Sequence, residues 1–234
     1  MTTSEGLHPL DNAVWWTLGS RHQELSRVRG RARAYRTDVS VFSAVDSFDP
    51  ASWADLSELL GPSRHSALFR SDVPSDLPPG WVTVGRIRCQ QMLVEAVALT
   101  PVAPVPVRRL NPDDVPLMLD LIARTEPGPF RSGTIEMGSY YGHFEGADLV
   151  SMAGERLGLE GYTEISAVCT LPELQGRGFG SSLTHHVASE ILARGETPFL
   201  HVAEANVGAR RVYENLGFTQ RRSVEAVLVQ TPPR

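Results

Sequence analysis

The most informative alternation of apolar and polar residues lies between positions 163 and 194. Residues 163–170 are rich in β-branched side chains, which is typical of a strand. Residues 181–194 repeat apolar side chains at helical spacing, among them Leu183, Val187 and Ile191, and this predicts an amphipathic helix. The glycine-rich segment 175–180 between them therefore predicts a turn that leads from a buried strand into the amino end of a helix.

The same periodicities predict the other elements of the second half, which alternate between strands and helices. The predicted strands cover 105–110, 139–145, 149–157, 199–203 and 223–229. The predicted helices are one that begins at 111–114 and ends before 127–129, and one over 206–216 that Gly217 closes. A loop or a short helix is expected over 130–138.

The first half predicts a mixed α/β arrangement with no obvious chemical constellation. Its predicted helices cover 10–19 and 53–60, and its predicted strands cover 34–45, 66–69 and 81–99. Prolines at 101, 104 and 106 mark a boundary. We therefore expect two domains, residues 1–104 and residues 105–234.

Composition narrows the class of protein. Hydrophobic residues make up 41% and charged residues 21% of the 234 residues, which is ordinary for a globular protein. No apolar run is long enough to span a bilayer, and none near Met1 resembles a signal peptide. Cys89 and Cys169 lie far apart and indicate neither a disulfide framework nor a metal site. The net charge of −5 argues against general nucleic-acid binding, so we expect a cytoplasmic protein without nucleic-acid or membrane partners.

All 22 basic residues are arginines, and six of them lie close together near the amino terminus. These six are Arg21, Arg27, Arg29, Arg31, Arg33 and Arg36. They are either a solvated face or a patch that steers an anionic ligand, and the sequence leaves both open. Arg27-x-x-Gly30-x-Ala32 also fits a phosphate-loop pattern formally. No buried strand precedes it and no amphipathic helix follows it, so we reject it as a second ligand site.

The glycines at 176, 178 and 180 predict an anion site. A strand–turn–helix segment presents free backbone N–H groups and the positive end of a helix dipole to one point. The spacing does not match the dinucleotide fingerprint, and the absence of lysine excludes a Walker A loop and pyridoxal-phosphate chemistry. A ligand with a pyrophosphate held by backbone amides remains, beside the alternative of a tight turn that binds nothing.

Two motifs in the right order resemble the GNAT superfamily of N-acetyltransferases. One is Gln175-x-x-Gly178-x-Gly180, and the other is Asn206-x-x-Ala209-x-x-x-Tyr213-x-x-x-Gly217-Phe218. The resemblance covers roughly residues 105–230. It implies an α/β fold with a mixed sheet, in which a GNAT half with the order β-α-(α)-β-β-β-α-β-α-β-β follows a degenerate GNAT-like half. This two-part arrangement looks like the glycine N-acyltransferase-like branch.

The resemblance also implies acetyl-CoA as the acyl donor. A backbone amide near Val168 would polarise the thioester carbonyl, because the central strand splays from its neighbour in the family. The cofactor-binding positions implied are Val168, Cys169, Thr170, Gln175, Gly176, Arg177, Gly178, Phe179, Gly180, Ser181 and Asn206. No metal is implied.

Acetyl transfer to a primary amine by direct attack needs a base and a group that assists the leaving thiolate. Glu164 is the candidate base, and strand alternation predicts that the side chains at 164, 166, 168 and 170 share one face. A solvent-exposed carboxylate, with water chains as the base, is the alternative. Tyr213 is the candidate for the leaving group, since its phenol can hydrogen-bond the thiolate.

The acceptor is the part that the sequence does not identify. By resemblance, the loop 127–138 and the strand with Tyr140, Tyr141 and His143 border the amine site. Small-molecule amines and peptides both stay open as acceptors, and so does a homodimer. A non-catalytic acyl-CoA-binding or regulatory module is the alternative function.

Overall fold

The computed structural model describes residues 8–233 and has a mixed α/β fold. Its helices are α1 Ala13–Leu18, α2 Pro50–Leu60, α3 Val115–Thr125, α4 Phe179–Ala193 and α5 Val207–Asn215. Its strands are β1 Ser26–Arg29, β2 Ala32–Tyr35, β3 Ser43–Val45, β4 His65–Arg70, β5 Val82–Leu93, β6 Arg108–Arg109, β7 Tyr140–Glu145, β8 Asp148–Leu159, β9 Tyr162–Thr170, β10 Thr197–Ala203 and β11 Thr219–Gln230. Short 3-10 turns connect several of them.

The strands form two sheets. One has the order β1-β2-β3, and its strand pairs are antiparallel. The other has eight strands in the order β4-β11-β5-β10-β9-β8-β7-β6. Within it β9 and β10 run parallel, whereas the pairs β8–β9, β7–β8 and β5–β10 are antiparallel. This mixed sheet confirms the predicted fold class.

The chain divides into two compact units. The first comprises the described residues up to Arg36, Val41–Ile87 and the residues from Val224 onward. Its core packs α2 against strands, with Trp53 and Leu56 fully enclosed. Asp49 caps α2 by accepting a hydrogen bond from the Ser52 N–H at 2.8 Å, which satisfies one of the free amides of the first turn.

The second unit comprises Thr37–Ser40 and Arg88–Ser223. In one core α3 packs against β8 and β9 through Met118 and Leu121. In another, α4 packs against β8, β9 and β10 through side chains that include Leu183 and Val187. The apolar stripe predicted for α4 is therefore its buried face.

Several predicted elements of this unit are confirmed within a few residues. β7 and β8, the strands predicted over 139–145 and 149–157, form a hairpin whose turn contains Gly146 at φ +65°. Asn111 and Asp114 form a capping box before α3, as the acidic helix start predicted. The segment between α3 and β7 contains one 3-10 turn, Thr134–Met137.

Several predicted strands differ from the structure, among them the one expected over 81–99, which ends at Leu93 as β5. The strand expected over 34–45 is two strands, β2 and β3, separated by a turn. The strand expected over 105–110 is reduced to β6, because the prolines around Val105 lack an N–H and the Val105 amide donates to Ser182 Oγ instead. The resemblance implied two strands after α5, but only β11 forms there among the described residues. The neighbour of β10 in the sheet is β5, which comes much earlier in the chain.

The arginine-rich segment of the first unit is a hairpin. Gly30, at φ +47°, is its turn between β1 and β2, and no helix follows it. Arg31 pairs with Asp49 at 2.6 Å, Arg29 pairs with Glu58, and Arg33 lies over the ring of Trp15. The cluster is therefore largely engaged in local contacts.

Candidate active site

The glycine loop leads directly into the amino end of α4. Gly176 and Gly178 have φ of +79° and +83°, a region that favours glycine. Gly178 is the N-cap of α4, and no side chain caps this end. A Cβ at either glycine would meet nothing within 4 Å, so a ligand can approach the backbone of this turn closely.

Strand β9 contains a β-bulge at Ala167. Ala167 has φ +53°, and the pairing with β8 shifts between Met152–Cys169 and Gly154–Ser166. The extra residue reverses the face of the strand to which each later side chain points. Ile165 and Val168 both pack in the core of α4, whereas Cys169 packs in the core of α3. The prediction that positions 164, 166, 168 and 170 share one face is therefore wrong.

The parallel pairing of β9 with β10 ends early. Its register runs from Tyr162–Thr197 to Ile165–Leu200, which leaves the carboxyl half of β9 outside it. This half faces the first turn of α4, because a Cβ on Gly180 would lie 3.7 Å from Thr170 Oγ1 and 3.9 Å from Val168 Cγ1. The structure thus brings together the glycine loop and the end of β9.

The remaining cofactor-binding candidates lie around these two elements. Cys169 is buried, and its carbonyl accepts a hydrogen bond from Ser151 Oγ at 2.8 Å. Burial raises the pKa of its thiol to about 11. Asn206 caps α5 by accepting from the Ala209 N–H. Arg177 is half-exposed, and its Nη1 lies 3.5 Å from Glu145 Oε1.

Glu164 is fully buried and has two basic neighbours. Arg156 donates to it through Nε to Oε2 at 2.8 Å and through Nη2 to Oε1 at 2.6 Å. Nδ1 of His201 lies 2.7 Å from Oε1. Glu164 is therefore held inside the protein and does not point into solvent.

These neighbours set the ionisation of Glu164. Burial alone would raise its pKa, but the charge of Arg156 and the hydrogen bonds from Arg156 and His201 outweigh this effect. The result is a pKa lowered to about 2. Burial also lowers the pKa of His201, against the raising effect of Glu164. Glu164 is thus a carboxylate, and a weak base, at neutral pH.

Tyr213 lies in the core of α4 together with Ile165 and Val168. Burial raises the pKa of its phenol to about 12, with a further contribution from Cys169. Glu164 and Ser166 precede the bulge and lie on the face of β9 opposite to Ile165. The two candidate catalytic side chains therefore flank β9 from opposite faces.

A small cavity of about 20 Å³ lies next to the Arg156–Glu164 pair. It is lined by Ile122, Pro127, Gly128, Pro129, Phe130, Thr134, Tyr140, Arg156, Ser166 and Ala167. The hydroxyl of Tyr140 is buried and has no hydrogen-bond partner, and burial raises its pKa. The cavity thus offers a buried hydrogen-bonding group to a ligand.

Of the three residues expected to border the amine site, Tyr140 lines the cavity. Tyr141 packs edge-on against His186, and His143 contacts the Pro106 carbonyl and the Phe179 ring. The loop over 127–138 does line the cavity, and it is anchored by Thr134 Oγ1, which donates to the Val39 carbonyl at 2.7 Å.

Sequence reasoning did not find Arg156 or His201. A signal was present, because His201 lies two residues after Phe199 on a predicted strand and so shares its face. Its relation to Glu164 depends on the pairing of Phe199 with Glu164, which follows only from the register of β9 and β10.

Residues 8–233 lack two features that would change the class of site. No helix in this part of the chain is long and apolar enough to cross a bilayer. No cluster of three metal-binding side chains occurs among the same residues. The expectation that no signal peptide begins at Met1 concerns residues outside those described.

Comparisons with known proteins assign this fold to a class. The family model described as FR47-like protein matches residues 140–227. A solved GNAT-family acetyltransferase from Novosphingobium aromaticivorans is 36% identical, covers 96% of this chain and 99% of its own, and superimposes with a TM-score of 0.85. The GCN5-related N-acetyltransferase from Kribbella flavida is 17% identical over 94% of this chain and 96% of its own, with a TM-score of 0.62, and shows the fold alone.

The chain belongs to the GNAT family of acetyltransferases. It is also similar to mycothiol acetyltransferase from Streptomyces griseus, with 45% identity over 71 residues. That match covers 29% of this chain and 20% of the relative, so the chain spans about a fifth of the curated relative's length.

Proposed function

We propose that this protein transfers the acetyl group of acetyl-CoA to a primary amine by direct attack of the amine on the thioester. The observation that carries the proposal is the early end of the β9–β10 pairing in front of the open glycine loop. It leaves one end of a bulged strand next to the uncapped amino end of a 15-residue helix. An extended ligand with a pyrophosphate at one end fits both features.

In this proposal, acetyl-CoA is held mainly by backbone groups. The pyrophosphate accepts hydrogen bonds from amides of Gly176 to Ser181, where the helix dipole favours negative charge. The pantetheine arm follows the free edge of Val168–Thr170 and reaches Asn206. Arg177 adds a phosphate contact only when it leaves Glu145, with which it forms an exposed and therefore weak pair.

The thioester carbonyl receives its hydrogen bond from a backbone amide near Val168. The bulge at Ala167 supports this role, because a bulge re-aims the backbone groups beside it. A fixed amide dipole at that point stabilises the negative charge that develops on the carbonyl oxygen.

Glu164 is the proposed base. Its Oε2 accepts one hydrogen bond, from Arg156, and keeps a lone pair for a proton that arrives directly or over a water molecule. A carboxylate with a pKa of about 2 cannot readily deprotonate a free ammonium ion. The amine therefore enters neutral, and Glu164 takes the proton from the tetrahedral intermediate, whose nitrogen is more acidic.

Tyr213 is the proposed partner of the leaving thiolate. With its pKa at about 12 against about 8.5 for a free thiol, full proton transfer would be uphill by roughly 3.5 units. Tyr213 therefore contributes a hydrogen bond that strengthens as the sulfur becomes anionic. Its position on the face of β9 opposite to Glu164 separates the group that receives the proton from the group that stabilises the leaving sulfur.

The acceptor amine enters the cavity lined by Tyr140 and Arg156. The space there suffices for about one water-sized group, so the loop over 127–130 moves to admit a larger acceptor. The Tyr140 hydroxyl supplies a hydrogen bond to the acceptor, which relieves its buried, unpartnered state. A small-molecule amine or a peptide amino terminus can enter such a site.

The finer classification is part of the same proposal. The first half of the chain, predicted as residues 1–104, is a degenerate GNAT-like domain, as in the glycine N-acyltransferase-like branch. The reaction takes place in the cytoplasm, where acetyl-CoA is supplied, and a homodimer is compatible with it.

The test is release of free CoA thiol from acetyl-CoA in the presence of a panel of amines. We expect turnover with at least one amine and a drop of about a hundredfold in kcat/KM for Glu164→Gln, with partial recovery at high pH. Glu160→Gln, the same change in the exposed turn before β9, is the matched control and leaves the rate unchanged. Tight acetyl-CoA binding without turnover on any amine would contradict the proposal and favour a non-catalytic acyl-CoA-binding module.

A further inference from the structure

A row of polar side chains crosses five neighbouring strands of the eight-stranded sheet. From β11 to β8 its members are Arg221, Gln91, His201, Glu164 and Arg156. Arg221 Nη1 lies 2.7 Å from Gln91 Oε1, and Gln91 Nε2 lies 3.0 Å from His201 Nε2. His201 then reaches Glu164, and Glu164 reaches Arg156. Consecutive members are thus joined by hydrogen bonds.

The register of the strands explains why these side chains meet. Gln91 and His201 are direct partners in the antiparallel β5–β10 pair, so they share a face. Phe199 is the partner of Glu164 in the parallel pair, and His201 follows Phe199 on the same face. Gln91 and Glu164 are buried, and the side chain of His201 is only 4% exposed, so bulk water competes little with these bonds.

The row has one possible direction of hydrogen bonding. A guanidinium donates only, so the Gln91 atom next to Arg221 is the carbonyl oxygen. The amide NH₂ of Gln91 therefore faces His201 and donates to Nε2. His201 Nε2 is then an acceptor, and the ring proton sits on Nδ1, from which it is donated to Glu164 Oε1. Arg221 thus determines the tautomer of a histidine two side chains away.

This direction prevents His201 from acting as a base. A proton on Nε2 would face the NH₂ of Gln91, and two donors would then point at each other. Burial and the charge of Arg156 lower the pKa of His201, whereas Glu164 raises it. The thiol of Cys89, two residues before Gln91, is neutral, because burial raises its pKa to about 11. His201 therefore stays neutral and serves only as a donor to Glu164.

The consequence for the site concerns geometry. Oε1 of Glu164 accepts from both His201 and Arg156, and Oε2 accepts from Arg156 Nε. The carboxylate plane is thereby fixed, and with it the guanidinium of Arg156, which forms part of the cavity wall. Without the donor on His201, the carboxylate could rotate away from the bidentate arrangement.

We propose that Arg221, Gln91 and His201 are positioning residues. Through a hydrogen-bonded row of fixed direction they hold Glu164, and through Glu164 they hold Arg156 in the wall of the acceptor cavity. The role of these residues in acetyl transfer rests on the proposed function. The hydrogen-bonded row itself rests only on the observed contacts. None of the three is a catalytic residue, because each acts on the site only through another side chain.

Nitrogen NMR of His201 tests the direction without an activity assay. In the wild type we expect a neutral ring with its proton on Nδ1 between pH 5.5 and 8. Gln91→Glu replaces the donor by an acceptor, so His201 should become an imidazolium between two carboxylates, with its pKa raised by more than one unit. Arg221→Met should release the amide of Gln91 and give a mixture of tautomers. Arg222→Met, the same change on the next residue and the opposite strand face, is the control and should leave the wild-type signals.

Solvent exchange of the Arg156 Nε proton tests the positioning. Exchange should be slow in the wild type and in Arg222→Met, and at least tenfold faster in Arg221→Met, because the carboxylate partner is then less well held. Unchanged His201 signals in both Gln91→Glu and Arg221→Met would overturn the fixed direction. Altered His201 signals with wild-type exchange at Arg156 would overturn the positioning role.

Enzyme activity provides a test that is separate from the two NMR measurements. Arg221→Met should lower kcat/KM for the acceptor about fivefold and leave acetyl-CoA affinity within twofold of the wild type. An unchanged kcat/KM would contradict the catalytic relevance of the row. If no amine is acetylated even by the wild type, the proposed function fails. The two NMR measurements then still test the direction of the hydrogen bonds and the positioning of Arg156.

Discussion

Ile165 and Val168 lie on the same face of β9, although an unbroken strand would place them on opposite faces. The bulge at Ala167 is the cause, since one extra residue reverses the alternation. It turns Val168 toward α4 and leaves Glu164 on the same face as Ser166, which lines the cavity beside Arg156. A single residue therefore decides which groups of β9 face the glycine loop and which face the Arg156 pair.

The conformation of Ala167 gives a stability prediction. An L-residue in the left-handed region costs about 1 kcal/mol or more, and glycine avoids this cost. Ala167→Gly should therefore be as stable as the wild type or more stable, by up to about 1 kcal/mol. Ala167→Val should lose about 2 kcal/mol, because β-branched side chains tolerate this region poorly. Urea unfolding measures both, and equal stability of the valine variant would show that the bulge does not persist in solution.

The buried carboxylate predicts a component of acid unfolding. The pKa of Glu164 falls from 4.5 to about 2 on folding, so its contribution is present above pH 4.5 and is lost as the pH falls through 2. The shift corresponds to roughly 3 kcal/mol. Between pH 6 and pH 3 the wild type should lose more unfolding free energy than Glu164→Gln, although the variant starts lower because Arg156 loses its charged partner. Parallel pH curves for the two proteins would contradict this assignment, and Glu160→Gln should follow the wild type.

Local sequence patterns were sufficient for much of the fold around the site. The β-branched run of β9, the helical stripe of α4 and the glycines between them each depend on neighbours in sequence, and all three elements form within a few residues of the prediction. The hairpin of β7 and β8 was predictable for the same reason, because its turn contains Gly146.

The parts that could not be predicted depend on register and on distant pairing. Alanine gives no signal for a bulge, so the reversal at Ala167 was hidden. The meeting of Arg156, Glu164 and His201 requires the pairing of three strands, and a shift of one residue would turn these side chains to the other face. The place of β5 beside β10 joins segments more than a hundred residues apart, which no local pattern encodes.

The glycine loop gives a binding prediction with a control at the other end of the same helix. Gly178→Val should weaken acetyl-CoA binding at least tenfold, since a side chain would stand between the ligand and the amides of α4. Gly195 has a similar φ of +77° and equally open surroundings, so Gly195→Val carries the same backbone strain far from the loop. Calorimetric titration should show wild-type affinity for Gly195→Val. Equal affinity of both variants would remove the phosphate-binding role of the loop.

The number of acetyl-CoA molecules bound is a further prediction. The pattern at Arg27 to Ala32 occupies a hairpin without a following helix, and arginine side chains without oriented amides give only a weak, salt-sensitive contact with phosphates. Titration at moderate salt should therefore give one acetyl-CoA per chain. A stoichiometry near two would identify the first unit as a second binding site.

Tyr213 gives the last prediction, which separates its catalytic role from its packing role. Tyr213→Phe keeps the ring that packs against Phe218 and removes the hydroxyl. If this hydroxyl stabilises the thiolate, kcat should fall by about tenfold to a thousandfold while acetyl-CoA affinity stays within twofold. The loss should be smaller for an acyl donor whose thiol is more acidic, because such a leaving group needs less help. Tyr141→Phe, which removes a hydroxyl from a residue packed against the same core, is the control and should keep the wild-type kcat. A wild-type kcat in Tyr213→Phe, with either donor, would assign this residue to the core alone.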